Sequence, residues 1–294
     1  MSNIYILAGT VVTARPLESA LYIVATPIGN LGDITIRALE TLAAVDIVAC
    51  EDTRTSRVLL SRYGIKTKTI SYYDHNQAES GSRLMAMLSS GKSVALISDA
   101  GTPLVSDPGE RLAGEAKAAG VRVVPIPGAS AVLAALAAAG LASSRFFFEG
   151  FLPTKTGQRR ARLASIGSLD ATLVFYEAPH RLSETLADMA SVLGAARRGA
   201  MCRELTKTFE EIITLPLGEL SARYPGDANV KGEIVIVIEP PHALAADADG
   251  TDALLRSLSK EMPASKAAAE ASRLTGVSKT ELYQRLLDMK RDGA

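Results

Sequence analysis

Ser98-Asp99-Ala100-Gly101-Thr102-Pro103-Leu104-Val105-Ser106-Asp107-Pro108-Gly109 is the stretch that decides the fold. It follows the apolar run Ser93 to Ile97, which reads as a buried strand, and it turns twice before the next helical segment. Asp107, Pro108 and Glu110 supply an N-cap, an N1 proline and an N3 carboxylate, so a helix is predicted to start near Pro108. Asp99 therefore falls at the carboxyl end of a strand, beside a Gly-Thr-Pro turn. In open α/β sheets that is where ligands bind.

Working outward, strands and helices alternate up to residue 127. Strands are predicted over Leu21 to Ala25, Asp46 to Cys50, Thr67 to Tyr72, Ser93 to Ser98 and Val121 to Ile126. Helices fall between them, over Thr35 to Ala44, Arg54 to Arg62, Ala78 to Ser89 and after Pro108. This alternation indicates a largely parallel sheet covered on both faces. Beyond the alanine-rich helix Ser130 to Ala139 the pattern changes to strands at Arg145 to Phe151, Ala171 to Tyr176, Arg198 to Arg203, Phe209 to Thr214 and Gly232 to Ile238. Helices there are fewer: Lys155 to Ser165, Arg181 to Leu193 and Gly218 to Tyr224. A second domain with a mixed sheet is the economical reading. The expected organisation is an extension over residues 1–20, α/β domains over 21–127 and 128–240, a linker over 241–253 and a helical unit over 254–294. Within that unit, Ser265 to Leu274, a break at Thr275-Gly276-Val277-Ser278, and Lys279 to Met289 have helix-turn-helix spacing, with Ser278 as the last helix's cap.

With 294 residues, 32 Lys+Arg and 32 Asp+Glu, the chain carries no global field that would recruit a polyanion, so nucleic-acid contact must come from local patches. Cys50 and Cys202 lie far apart inside apolar runs, which fits a reducing compartment, and the cytoplasm is the expected location. No apolar run approaches the roughly 18 residues of a membrane span. The apolar start, Ile4 to Val12, reads as a first strand or ribbon rather than a signal peptide. Three histidines and two cysteines without ligand spacing give no metal site. The glycine turn Ala25 to Asp33 contains neither Gly-x-Gly-x-x-Gly nor Gly-Lys-Ser/Thr, and the chain has no Gly-x-Ser-x-Gly, which argues against dinucleotide-binding or P-loop chemistry at that turn and against a serine hydrolase.

Four other segments sit at strand ends. Ala25-Thr26-Pro27-Ile28-Gly29-Asn30-Leu31-Gly32-Asp33 is a glycine turn whose backbone N–H groups can line a ligand. In Cys50-Glu51-Asp52-Thr53-Arg54, Asp52 either caps the following helix or takes part in chemistry. In Tyr72-Tyr73-Asp74-His75-Asn76, His75 is either an exposed loop residue or a proton acceptor near neutral pH. In Phe175-Tyr176-Glu177-Ala178-Pro179-His180-Arg181, Glu177 falls at the ligand-facing end of its strand. One charge pattern stands apart from these. Gly150 to Leu169 contains no acidic residue, while Lys155, Arg159, Arg160 and Arg162 follow a cluster of phenylalanines, a combination suited to a phosphate backbone. Between 251 and 294 there are eight Lys/Arg and six Asp/Glu, only a slight basic excess.

Taken in order, Val24 to Asp33, Cys50 to Arg54, Ser98 to Pro103 and Pro127-Gly128-Ala129-Ser130 resemble the tetrapyrrole-methylase-like superfamily. Adding Gly150-Phe151-Leu152-Pro153, Phe175 to Arg181 and Lys231-Gly232-Glu233, the chain from about Leu21 onward is similar to the bacterial 16S ribosomal RNA cytidine 2′-O-methyltransferase family. The resemblance implies two α/β domains of class III methyltransferase type with S-adenosylmethionine in the cleft between them, a helix-turn-helix-like tail, and a homodimer acting on 16S rRNA of the small ribosomal subunit. It places Pro27, Ile28, Asp99, Thr102, Ser130 and Ala131 on one side of the cofactor and Tyr176, Glu177, Glu204 and Gly232 on the other. For in-line attack of a ribose 2′-oxygen on the sulfonium methyl, Asp52, His75 and Glu177 are the candidate bases. Arg54, Lys155, Arg159, Arg160 and Arg162 are the candidate phosphate contacts. Two competing readings are a tetrapyrrole C-methyltransferase and a ligand-sensing DNA-binding regulator. The basic run argues against the first. The weakly basic Lys279 to Met289 helix argues against the second.

Overall fold

The computed structural model describes residues 3–73, 76–107, 109–226, 230–241, 248–275 and 277–292. It opens on a hairpin, β1 (Ile4–Leu7) antiparallel to β2 (Thr10–Thr13), turned on Ala8 and Gly9 with φ of 49° and 81°. That is the twist a two-residue hairpin loop requires. The Ile6 N–H donates to the Tyr63 carbonyl at 2.8 Å, and Tyr5 and Ala14 are buried in the first domain's core. The N-terminal extension thus folds as the expected ribbon and packs on the body.

Five parallel strands follow: β3 (Leu21–Val24), β4 (Ile47–Cys50), β5 (Thr69–Ser71), β6 (Val94–Ile97) and β7 (Val123–Ile126), in the order β5-β4-β6-β3-β7. The central strands β4 and β6 are apolar throughout and buried along their whole length, as strands covered on both faces must be. Tyr22, Val24, Val48 and Ile97 face one layer, formed by the hairpin, α1 (Ile36–Ala44) and α2 (Thr53–Arg62). Leu21, Ile47, Ala49 and Leu96 face the other, formed by α3 (Gln77–Ser89) and α4 (Glu110–Ala118). The α1 helix starts where the Thr35 hydroxyl accepts from Ala38 N at 3.1 Å. The start of α4 differs from expectation. Gly109, at φ 131°, occupies its N-cap with no side-chain cap, because Asp107 is drawn into the wall of a cavity instead.

The second sheet has the order β11-β10-β12-β9-β8, from β8 (Phe146–Phe151), β9 (Thr172–Glu177), β10 (Arg198–Arg203), β11 (Glu211–Pro216) and β12 (Ile234–Ile238). Only β8 and β9 are parallel, so the sheet is mixed as expected. β11 begins later than the predicted Phe209, because residues 204–210 form a turn with Glu204 and Thr206 at φ 51° and 67°. α5 (Ala131–Ala138) covers one face through Val132, Ala135 and Leu136. α6 (Thr156–Ile166), α7 (Leu182–Leu193) and α8 (Leu217–Arg223) cover the other.

The tail is a three-helix unit, α9 (Ala248–Glu261), α10 (Ala264–Thr275) and α11 (Lys279–Asp292), closed over Leu255, Ala267, Ala268, Ala271, Leu282 and Leu286. The Ser278 hydroxyl accepts from Glu281 N at 3.2 Å, so it does cap the last helix. α9 starts inside residues 241–253, which shortens the expected linker. No helix among the described residues is long and apolar enough to cross a membrane.

Candidate active site between the two domains

β4 leads outward to β5, whereas β6 leads back across the sheet to β7, so the carboxyl ends of these neighbours part and leave a crevice. Asp52 follows β4 and Asp99 follows β6, and the Asp52 N–H donates to Asp99 Oδ1 at 3.1 Å. The loops around them are laced together. Thr26 and Gly101 exchange backbone hydrogen bonds at 2.8 and 3.1 Å, and the Thr102 hydroxyl donates to the Ala129 carbonyl at 3.3 Å. The motif glycines make this approach possible. Gly101 sits at φ 78°, and a Cβ on Gly128 would lie 3.0 Å from that of Ala25.

Between these loops and the second sheet lies a cavity of about 360 Å³. Ile28, Asp99, Thr102, Ser130 and Ala131 line it from one side, and Tyr176, Glu177 and Gly232 from the other. The fold thus brings together eight of the ten positions expected at a cofactor. The other two lie elsewhere. Pro27 lines an adjoining cavity, also of about 360 Å³, that shares Ile28, Asp99, Ala100 and Glu233 with the first. Glu204 lies behind Gly232, where an added Cβ would come within 2.4 Å of its carboxyl carbon. Its Oε1 accepts from Glu233 N at 2.9 Å and from Lys207 Nζ at 2.7 Å, so it supports the wall rather than facing the cavity.

Asp107, Leu205, Lys207 and Glu233 belong to the two cavities and were missed in the sequence. Asp107 was hidden by its resemblance to a helix cap. Burial pushes its carboxyl above the usual range, opposed by a hydrogen bond from Ser98 and reinforced by Asp99. Burial raises Asp99 as well, and the Asp52 N–H opposes that rise. Tyr176 is pushed up to about 12 by burial, with Asp107 and Glu233 adding to the effect. Its ring packs on Phe148 and Phe151 at centroid distances of 4.9 and 5.6 Å. Leu205 and Lys207 gave no sequence signal, because their loop depends on non-glycine residues held at positive φ. Leu104 and Ser106, at 73° and 62°, do the same on the first domain's side. Such residues cost about 1–3 kcal/mol each and persist only where the surroundings over-determine them. Lys207 spans the domains. Its methylenes lie over Gly29, and Nζ also reaches Glu233 Oε2 at 2.8 Å.

The candidate bases fare differently. Asp52 binds Arg54 through both carboxylate oxygens at 2.8–3.1 Å and caps α2, which holds its pKa down at about 2. It is a poor proton acceptor. Glu177 is 3% exposed; its oxygens accept from the Thr185 hydroxyl at 2.5 Å and from Ala178 N at 2.7 Å, with Arg181 at 3.4 Å. That carboxylate fixes the turn after β9, with both oxygens engaged by partners of its own domain. His75 lies outside the described residues.

The basic run 155–162 is largely neutralised, contrary to expectation. Arg159 is 1% exposed and pairs with Asp188 at 2.6 Å, so it cannot reach a phosphate. Arg160 takes the other Asp188 oxygen at 2.6 Å, and Arg162 makes a bidentate pair with Glu149 at 2.6 and 2.7 Å. Lys155 is exposed. Arg54, with an 88% exposed side chain, is tied to Asp52. Among the described residues, no group of three or more His, Cys, Asp or Glu could hold a metal ion.

The profile of the Tetrapyrrole (Corrin/Porphyrin) Methylases matches residues 20–221, and that of the RsmI C-terminal HTH domain matches residues 245–290. A ribosomal RNA small subunit methyltransferase I from Mesorhizobium japonicum is 60% identical over 281 residues, which cover 96% of this chain and 96% of that one. Its namesake from Pseudomonas aeruginosa is 51% identical over 91% of this chain and 96% of its own. Among solved structures, a diphthine synthase superposes with a TM-score of 0.59 at 18% identity, covering 75% of this chain and 90% of its own. The Thermus thermophilus uroporphyrin-III C-methyltransferase complexed with S-adenosyl homocysteine gives 0.54 at 19%, covering 75% and 97%. These two establish the shared fold. Matched by the family profile over more than half its length, and by close relatives over nearly all of it, the chain belongs to the tetrapyrrole methylase family, in its ribosomal RNA small subunit methyltransferase I branch.

Proposed function

We propose that the chain transfers the methyl group of S-adenosylmethionine to the ribose 2′-oxygen of a cytidine in the decoding centre of 16S rRNA. The observation that carries this reading is the interdomain cavity, whose apolar walls converge on two carboxylates made unusually basic by burial. Its volume of about 360 Å³ is that of a small-molecule site. Asp99 and Asp107 suit the cationic end of the donor, and Ile28, Leu205 and Val235 suit a flat ring system. Thr102, Ser130 and the backbone at Gly101 and Gly232 suit its polar edges. When bound, the sulfonium supplies an already activated methyl electrophile.

The chain's own residues then have little covalent chemistry to do. The laced loops and the Lys207 bridge fix the relative placement of donor and acceptor, and holding reactants in attack geometry supplies most of the rate. The second cavity adjoins the first at Asp99 and suits the acceptor nucleoside. With Asp52 and Glu177 committed elsewhere, His75 is the proton acceptor we put forward, because an imidazole titrates near neutral pH. We extend the proposal to a homodimer in the cytoplasm, acting on the small ribosomal subunit, the last in keeping with the name its relatives carry.

The test is transfer of tritiated methyl from S-adenosylmethionine to 30S subunits, naked 16S rRNA or uroporphyrinogen, with the product nucleoside identified. Label at a cytidine 2′-oxygen is expected. Label in the tetrapyrrole alone would overturn the reading.

A further inference from the structure

The second cavity opens beside α2, which lines it through Thr55, Ser56, Val58 and Leu59. Residues 53–73 contain no Asp or Glu, but they do contain Arg54, Arg57, Arg62, Lys66 and Lys68. α2 buries Ser56, Leu59 and Leu60 and turns the opposite face, with Arg54, Arg57, Val58 and Arg62, to solvent. Arg54 is neutralised by Asp52. Arg57, Arg62, Lys66 and Lys68 are exposed and make no ion pair among the described residues. This contrasts with the 155–162 run, whose arginines are matched by Asp188 and Glu149. In a chain of zero formal net charge, four exposed and unmatched cations between residues 57 and 68 give a local positive charge of the kind that attracts a polyanion.

The position of the patch says where such a polyanion would lead. Thr55 and Val58 of α2 line the second cavity, and Val58 is 62% exposed beside Arg57. The same cavity is also lined by Lys207, and it shares Asp99 and Glu233 with the first. A strand lying along the basic face of α2 therefore passes the mouth of the cavity that leads to the methyl donor's site.

Resting on the reading above, we propose that the exposed face of α2, continued by Lys66 and Lys68, is the docking surface for the phosphate backbone of the acceptor RNA beside the reacting nucleotide. Phosphates bind along Arg57, Arg62 and the two lysines, and the reacting ribose enters between Thr55, Val58 and Lys207. An acidic patch on a ribosomal protein is the other partner a basic face could take, and the experiment separates the two.

The full-length double variant Arg57→Gln/Arg62→Gln is compared with the unchanged chain and with Arg122→Gln/Arg145→Gln, which removes the same charge from remote ion pairs. Binding to a naked 16S rRNA fragment is measured from 50 to 200 mM salt, alongside S-adenosyl homocysteine titration and 30S methylation. Loss of two phosphate contacts to single-stranded RNA should lower the slope of log K against log salt by about 1.4 and weaken binding on the order of tenfold at low salt. KM for 30S should rise while kcat and S-adenosyl homocysteine affinity stay put. The remote pair should leave the slope unchanged. An unchanged slope in the α2 variant, with the unchanged chain methylating rRNA normally, overturns this inference alone. A loss seen with 30S but not with naked RNA overturns it in favour of a protein contact. Failure of the unchanged chain to methylate any rRNA overturns the functional reading, and this inference with it.

Discussion

Arg159→Ala should damage the fold and leave RNA binding intact. The guanidinium is 1% exposed and makes three contacts: Nε to Asp188 Oδ2 at 2.6 Å, Nη1 to the Thr154 carbonyl at 3.1 Å, and Nη2 to Glu184 at 3.4 Å. Removing one partner of a buried pair costs about 3–5 kcal/mol, chiefly because the other charge is left without compensation. Here Asp188 keeps Arg160 Nε at 2.6 Å on its second oxygen, which puts Arg159→Ala at the low end, about 3 kcal/mol. Asp188→Ala is worse. It strands the buried Arg159 with a carbonyl and the 71%-exposed Glu184, which places it toward 5 kcal/mol. Replacing both by leucine removes both charges and should recover much of the loss. Urea unfolding followed by far-UV circular dichroism measures the ranking, and RNA binding at two salt concentrations measures the slope. If Arg159→Ala left the urea midpoint in place and flattened the salt dependence, the guanidinium would be a phosphate contact and the burial argument would fail.

The cleft carboxylates give an opposite trade. A carboxyl raised in the folded state binds more protons than in the unfolded chain, so its ionisation destabilises the fold as pH rises from the ordinary carboxylate range through the raised value. Asp107→Asn should therefore stabilise the ligand-free chain at neutral pH in a thermal melt while weakening S-adenosylmethionine binding. A fall in melting temperature would count against it. For the same reason, cofactor affinity in the unchanged chain should decline on acidification before ordinary carboxylates titrate, which calorimetry from pH 7 to 5 can follow. Gly232→Ala, at φ 96° with its Cβ set against the Glu204 carboxylate, should displace the Glu204–Lys207 pair and raise the cofactor dissociation constant at least tenfold; unaltered calorimetry would refute the cradle. His75→Gln should lower kcat by roughly 10²–10⁴ with cofactor affinity unchanged, and near-normal turnover would remove it as the base. Cys202, its thiol pushed up to about 12 by burial, and the buried Cys50 should resist maleimide labelling until denaturant is added, as mass spectrometry can verify.

Much of the architecture was legible because it rests on local pattern. Short apolar runs ending in glycine turns mark β3 and β6, and their carboxyl-end loops hold most of the first domain's side of the cleft. Side-chain caps at Thr35 and Ser278 behaved as their residue types imply. Asp107 shows the limit of such reasoning. Its spacing to Glu110 matches a capping box, yet the loop bends so that Gly109 takes the cap and the carboxylate joins the cavity. Nothing local distinguishes the two outcomes. The loop at Glu204–Thr206 was illegible for another reason: positive φ at non-glycine residues has no sequence marker and is imposed by the packing of Glu204 over Gly232.

Charge divides the two kinds of knowledge most sharply. By itself the sequence determined the order of strands and helices, the loops at the sheet's carboxyl edge, the helical tail and the family resemblance. It also displayed two cationic stretches without acidic residues, 53–73 and 150–169. Only the tertiary structure decided which of them remains charged to the outside. Arg162 finds Glu149 from 13 residues away and Arg159 finds Asp188 from 29, whereas Arg57 and Arg62 meet no acid among the described residues. Ion pairing is decided within a few ångströms of space, and sequence separation does not report that distance until the chain has folded.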